Sequence, residues 1–207
     1  MPAAPEGRPY GGLSPQERRD RRRRKLLDTA LDLFAAEGYA GTSIERLCSV
    51  AGVTTRNLYE EFSGRDGLLA AVFEETSQVA VRAVEGALAA APADPLARIE
   101  AAVRAFVHVV LEDPRRAQIQ YVQVGGVSAD LEQRRRVVGL AIIDLIQREI
   151  EQAAARGLIP VHDHRWTALG AFGAANTMLQ EWVWQGGGSL EELTDEVVRV
   201  FRAIVAT

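Results

Sequence analysis

Apolar positions along this chain recur mostly at intervals of three and four residues. Leu27, Ala30, Leu31, Phe34 and Ala35 fall on one face of a helix. Ile44, Leu47 and Cys48 make a second, shorter stripe, and Leu58 and Phe62 a third. From residue 66 onward the stripes lengthen. No stretch alternates with period two between hairpin turns; QYVQVGGVS (120–128) comes nearest to a strand and stands alone. The pattern predicts an all-α protein of about nine helices. Short helices are expected over roughly 43–50 and 54–61. Long ones are expected over 66–90, 96–112, 130–156, 163–185 and 190–205, with a shorter piece in 114–124.

Helix starts carry a repeated signature. Ser14-Pro15-Gln16-Glu17, Thr42-Ser43-Ile44-Glu45, Ser63-Gly64-Arg65-Asp66 and Ser189-Leu190-Glu191-Glu192 each place an acid three residues after a capping hydroxyl. Gly38 is expected to close the first helix as a left-handed cap. Breaks fall at 91–95, at Asp113-Pro114, at Gly125-Gly126, at 157–160 and at 186–188. Residues 1–13 are rich in Pro, Gly and Ala without periodicity and read as a disordered arm. Small capped helices followed by long ones divide the chain into 14–70 and 71–207, with the boundary inside a continuous helix near 66–75.

Composition changes this picture little. The chain has 207 residues, 47% of them hydrophobic, enough for one large domain or two small ones. No run approaches eighteen apolar residues, so no membrane span is expected. The N-terminus lacks the apolar segment of a secretory signal. A single cysteine, Cys48, rules out a disulfide framework and fits a cytoplasmic address. Cys48 reads as a small packing residue rather than a redox switch.

Charge matters through its placement. The net charge of −4 disfavours a nucleic-acid partner only if it is evenly spread. Arg18, Arg19, Arg21, Arg22, Arg23, Arg24 and Lys25 supply seven cations in eight residues, broken only by Asp20. Residues 76–207 hold 13 basic and 16 acidic side chains, a net of −3. A basic stretch of this kind either solvates an arm or meets phosphates.

The candidate chemistry lies in VAGVTTRNLYEEF (50–62). Ala51-Gly52-Val53 is a tight turn in which Gly supplies positive φ, and Thr54 can cap the helix that follows. With Leu58 and Phe62 inward, Thr55, Arg56, Tyr59 and Glu60 face outward. Two short helices joined this way are a helix-turn-helix, or else a plain helical corner with a polar face. Thr, Arg, Asn and Tyr suit base edges and phosphates.

Leu26 to Phe73 also resembles the DNA-binding domain of TetR-family transcriptional regulators. The matching pieces are Phe34, Glu37-Gly38-Tyr39, Thr42-Ser43-Ile44, Ala51-Gly52-Val53, Leu58-Tyr59, Phe62 and Leu68-Leu69. The resemblance implies a three-helix DNA-binding domain ahead of a larger helical ligand-binding and dimerisation domain. It implies a homodimer on a palindromic double-stranded operator, with the third helix in the major groove. By position, Thr42, Ser43 and Tyr59 would meet phosphate, Arg65 would keep a cation at the start of the fourth helix, and Thr55, Arg56 and Asn57 would read bases. Thr54 and Arg24 complete the candidate DNA-binding set.

Three departures from the family pattern stand out. Arg56-Asn57 replaces a pair that often includes a small residue, and Cys48 replaces a common Ala. Glu60 and Glu61 place two acids where phosphates would lie. Glu60, four residues after Arg56, can pair with it and orient the guanidinium. Glu61 either accepts from a cytosine amino group or faces solvent. The arm from Arg18 to Lys25 can offset both acids.

In the C-terminal region, LGAFGAANTMLQEWVW (169–184) crowds one helix with small residues, and VVGLAIIDLIQREI (137–150) is strongly apolar. The resemblance implies a four-helix dimer interface from 130–156 and 163–185; ordinary intrachain core is the other reading. Phe106, His108, Tyr121, Trp166, Asn176, Met178 and Trp182 are candidate lining of a small-molecule pocket, whose ligand would be apolar or aromatic. His162-Asp163-His164 lacks the partners of a metal site. No P-loop, GxSxG or HExxH motif, no cofactor motif and no nucleophile–base pair is present, so no enzyme is expected. The expected function is a ligand-responsive repressor. The alternative is a helical dimeric interaction protein that no longer reads DNA.

Overall fold

The computed structural model describes residues 14–206, and every regular element among them is helical. The order is α1 (Pro15–Glu37), α2 (Ile44–Ala51), α3 (Thr55–Glu61), α4 (Arg65–Ala90), α5 (Pro95–Leu111), α6 (Pro114–Gln118), a π-helical turn (Ile119–Gln123), α7 (Ala129–Ala155), α8 (His164–Trp184) and α9 (Leu190–Val205). The expected disordered arm, 1–13, lies outside the described residues. The strand candidate at 120–128 is the π turn and the loop after it. Its Gln120 donates to the hydroxyls of Thr76 (2.7 Å) and Ser77 (3.0 Å) on α4, which holds the segment helical against that helix.

Local chemistry explains most helix ends. At α1 both halves of the capping box form: Glu17 N–H donates to Ser14 Oγ (3.2 Å), and Ser14 N–H donates to Glu17 (2.6 Å). Gly52 ends α2 in the left-handed region, at φ 66° and ψ 40°. Gly38 differs from expectation: its φ is positive at 78° but its ψ of 155° is extended, so it turns the chain sharply away rather than closing a left-handed cap. Two predicted caps also shift by one residue. Ser43, not Thr42, caps α2, and Gly64, not Ser63, stands at the α4 start with no side-chain cap bond.

The first core joins the N-terminal helices to the rest of the chain. Leu26, Phe34, Leu47, Leu58, Leu68 and Leu69 are fully buried there, each contributing about 1.5–3 kcal/mol by burial. Ile119, Val124 and Leu131 belong to the same cluster, so the π turn and the start of α7 rest on the head. Helix α4 runs unbroken through the expected boundary. Farther along, α5, α7, α8 and α9 form two more clusters. One centres on Ile143, Ile150 and Phe201, the other on Val107, Leu111 and Leu179.

Ion pairs line the joint between the two regions. Arg115 pairs with Asp32 on α1 (2.7 Å) and with Asp113 (2.8 Å), while Arg24 pairs with Glu75 on α4 and Arg134 with Glu74. Exposed pairs contribute at most about 1 kcal/mol each, so their main effect is to hold geometry.

Candidate DNA-reading head and ligand cavity

Helix α3 presents a polar outer face because its inner one is Leu58, with Phe62 just beyond its end. Thr55 and Arg56 are exposed, and Tyr59 is 60% exposed. Arg56 Nε donates to Glu60 (2.9 Å), the pairing expected from their four-residue spacing. Bonds from Arg56 and Asn57 and the nearby charge of Arg22 hold the Glu60 carboxyl below its ordinary range. Glu60 therefore stays ionised and fixes the guanidinium on the outer face.

Glu61 does not face solvent. Its side chain is only 5% exposed and accepts from Arg19 Nε at 2.8 Å. Arg23 stacks on the Phe62 ring at 4.6 Å. The basic segment is thus the first turns of α1, strapped to the end of α3. Arg19 and Arg23 remain exposed while making these contacts, Arg22 is half-buried, and Arg18, Arg21 and Lys25 are exposed along another side of α1.

Other candidates in the head have internal roles. Thr42 is a correction: it is fully buried, its hydroxyl donates to Gly38 O (2.7 Å) and its N–H to Tyr39 O (3.3 Å). Neither group is left for phosphate. Ser43 is exposed and caps α2 through Arg46 N–H (3.1 Å). Asn57 is half-buried and closes a capping box with Thr54, accepting from its hydroxyl at 2.9 Å. That fixes the start of α3. Arg65 lies over the Tyr39 ring (4.2 Å) and donates to Thr42 O (2.9 Å), so its charge stitches the α1–α2 connection to α4. Arg24 is tied to Asp28 and Glu75, at the joint with α4. Cys48 is buried, and burial pushes its thiol pKa up, as suits an inert packing residue.

The C-terminal helices enclose two adjoining spaces. The inner chamber, about 60 Å³, is lined by Val84 and Leu88 of α4, Ile99, Ala102, Val103 and Phe106 of α5, Ile142, Leu145, Ile146 and Glu149 of α7, Phe172 and Ala175 of α8, and Val197 and Phe201 of α9, with Val107 completing α5. Only Glu149 is charged, and its carboxylate is held in a bidentate pair with Arg98 (2.9 and 3.0 Å). The outer vestibule, about 260 Å³, shares Phe106, Ile142 and Phe172 with the chamber and adds Ser77, Gln120, Tyr121, Arg135, Asn176, Thr177 and Gln180. Along α4 and α7 the vestibule residues come first and the chamber residues later, so the chamber lies farther from the N-terminal helices.

Of the seven expected lining residues, Phe106, Tyr121 and Asn176 meet in the vestibule. Burial pushes the Tyr121 phenol well up, and Asn176 donates to Phe172 O (2.9 Å). The other four lie outside the two spaces. His108 is exposed on α5, and Trp166 is 74% exposed at the start of α8. Met178 and Trp182 pack into the cluster around Leu179, with Trp182 against Gly187 and Gly188. Aromatic identity did not tell which helix face a residue occupies. The missed lining residues Ile142, Leu145, Ile146 and Glu149 do carry a signal: an i, i+3, i+4, i+7 stripe that ends on a charge.

Two family models match this chain. The one described as bacterial regulatory proteins of the tetR family covers residues 26–72, and a tetracyclin repressor-like C-terminal domain covers residues 92–205, more than half of the chain. The chain belongs to the TetR family. A similar relative is the HTH-type transcriptional activator FasR of Mycolicibacterium smegmatis, 31% identical over 70% of this chain and 68% of that protein. Among solved structures, the fatty acid degradation regulator FadR of Bacillus halodurans superposes with a TM-score of 0.79 at 17% identity, covering 92% of this chain and 96% of that one. FadR of Bacillus subtilis, solved in complex with stearoyl-CoA, gives 0.77 at 18% identity, covering 86% and 96%. At such identities the structures establish the fold.

TetR-family membership makes this chain a ligand-responsive helix-turn-helix transcriptional regulator rather than an enzyme. The matched N-terminal model ends at residue 72, within α4, so the helix that lines both spaces begins in the DNA-binding unit. Among the described residues, no helix is long and apolar enough to cross a membrane. No group of three His, Cys, Asp or Glu among them could hold a metal ion.

Proposed function

We propose that this regulator is a cytoplasmic homodimeric repressor, released from a palindromic operator by a small amphipathic molecule of the acyl-CoA type. The observation that carries the ligand class is the pairing of a chamber that is apolar except for Glu149 with a polar vestibule, since an acyl chain suits the first and a thioester head the second. The stearoyl-CoA bound to the Bacillus subtilis relative supports the same class. Residues 14–70 would be the reading head and 71–207 the ligand and dimer region.

Thr55, Arg56 and Tyr59 are the side chains we assign to the operator, with Ser43 at the α2 start. The stripe from Arg18 to Lys25 would add salt-dependent phosphate attraction. The Arg19–Glu61 pair removes one of the two acids that favoured a corner without DNA reading. Val137 of α7 and Trp166 and Trp184 of α8 are exposed, and Gly170, Gly173 and Thr177 continue the α8 stripe between the tryptophans. An exposed stripe with small residues at its centre favours close packing against a second copy.

The test is selection from a random duplex-DNA pool by the purified protein, repeated with decanoyl-CoA present. A palindrome should be enriched, and the acyl-CoA should reduce its retention. The Arg56→Ala, Tyr59→Ala double variant should enrich no sequence. A palindrome still selected by that variant would overturn the assigned reading surface, and retention unchanged by acyl-CoA would overturn the ligand class.

A further inference from the structure

At the far end of the apolar chamber, three helices are stitched together by one ion pair whose carboxylate is buried and whose guanidinium is partly exposed. Arg98 of α5 donates Nε and Nη2 to the two carboxylate oxygens of Glu149 on α7 (2.9 and 3.0 Å) and Nη1 to the carbonyl of Leu88 on α4 (2.8 Å). Leu88, Ile99 and Glu149 are the residues of these helices that line the chamber farthest from the vestibule. The stitch and the end wall are therefore the same structure. Glu149 is buried.

We infer that the Arg98–Glu149 pair is a stop that sets the greatest acyl-chain length this regulator accepts, an inference that rests on the acyl ligand proposed above. A chain that grows past the end wall must part the two partners or press methylenes between them. Either leaves a buried charge short of its partner, which is strongly unfavourable, whereas apolar side chains of similar size could yield at little cost. Ile142, at the vestibule border, and Glu149 are seven residues apart on α7. The slot is therefore about 10 Å deep at about 1.5 Å per residue. A medium-length chain reaches the end wall, widening the chamber of about 60 Å³ as it enters; a stearoyl chain overruns it.

The experiment is calorimetric titration of the full-length protein with saturated acyl-CoA thioesters from butanoyl to stearoyl. The wild type should bind medium chains tightest, with stearoyl-CoA at least tenfold weaker than the optimum. The Arg98→Ala, Glu149→Ala variant should move the optimum to longer chains and tighten stearoyl-CoA at least tenfold. If that variant fails to fold, Arg98→Met, Glu149→Leu keeps the volume with an apolar pair and should relax the upper limit in the same direction. A wild type that binds stearoyl-CoA tightest, or a folded apolar double variant with an unchanged profile, overturns the stop while leaving the acyl ligand standing. Absence of binding at every length overturns the acyl reading and the stop with it.

Discussion

The head and the ligand region are built from the same apolar residues but packed to different ends. In the head, the helices close on Leu26, Phe34, Leu47 and Leu58, each of them fully buried. In the ligand region, Val103, Phe106, Ile142, Leu145, Ile146 and Phe172 are only half-buried although they stand at the centre of the helices. They surround free space instead of filling it. A closed core transmits position, because no side chain can move without a neighbour moving. An open one reshapes at low cost, as a ligand site must.

The largest test of that contrast is truncation of one phenylalanine in each region. Phe34→Ala should cost about 3–5 kcal/mol, through lost transfer energy and the cavity left behind. Phe106→Ala should cost less than half of that, since Phe106 already borders free space on two sides. Urea unfolding at one fixed protein concentration measures both. Equal losses would mean that the ligand region is packed as tightly as the head, and the contrast would fail.

The two regions also differed in how well the sequence disclosed them. Helix ends in the head follow local rules, so Ser14, Gly52 and Thr54 were legible from a few neighbours. Thr42 and Ser43 were not told apart, because the capping rule sees two adjacent hydroxyls and only packing against α1 buries one of them. Glu61 was illegible for a different reason: its partner Arg19 lies 42 residues away along the chain. In the ligand region the helices themselves were clear from periodicity, while the lining was not. Trp166 and Phe106 look alike as candidates, yet one faces outward and the other the cavity. The π turn was the hardest element, since QYVQV has strand-like composition and only Thr76 and Ser77 on another helix hold Gln120 in place.

That turn supplies the next test, because it touches both regions. Gln120 and Tyr121 line the vestibule, and Gln123, at the end of the turn, accepts from Tyr39 N–H at 2.8 Å. Tyr39 in turn lies under Arg65 and bonds Asp66 at the start of α4. A ligand that displaces Gln120 or Tyr121 thus pulls on the connection between α1 and α2. Gln123→Ala leaves the Tyr39 N–H without its acceptor, a loss of about 1–3 kcal/mol if water does not replace it. Operator affinity measured with and without acyl-CoA should then show a response at least severalfold smaller than wild type, with the ligand-free affinity changing less. An undiminished response would mean that the signal reaches the head by α4 alone.

The smallest effect should come from Asp113, at the joint. Its carboxylate caps α6 through Arg115 N–H (3.0 Å) and receives the Arg115 guanidinium, which in turn holds Asp32 of α1. The bond from the Arg115 side chain, against an opposing effect of burial, holds the Asp113 carboxyl below its ordinary pKa of 3.8. A carboxyl whose folded pKa is lowered contributes its full stability above the unfolded value and loses it as pH falls through the folded one. Asp113→Asn keeps a cap acceptor and removes the charge, so it should cost about 0.5–1 kcal/mol at pH 7. The gap between variant and wild type should close as the pH is lowered below 3.8 and on through the depressed folded value, where Asp113 itself becomes neutral. Unfolding free energies measured across that range separate the two contributions. A gap that persists in acid would assign the stability to the cap geometry, and the Arg115 bridge between head and ligand region would then be held by Asp32 rather than by Asp113.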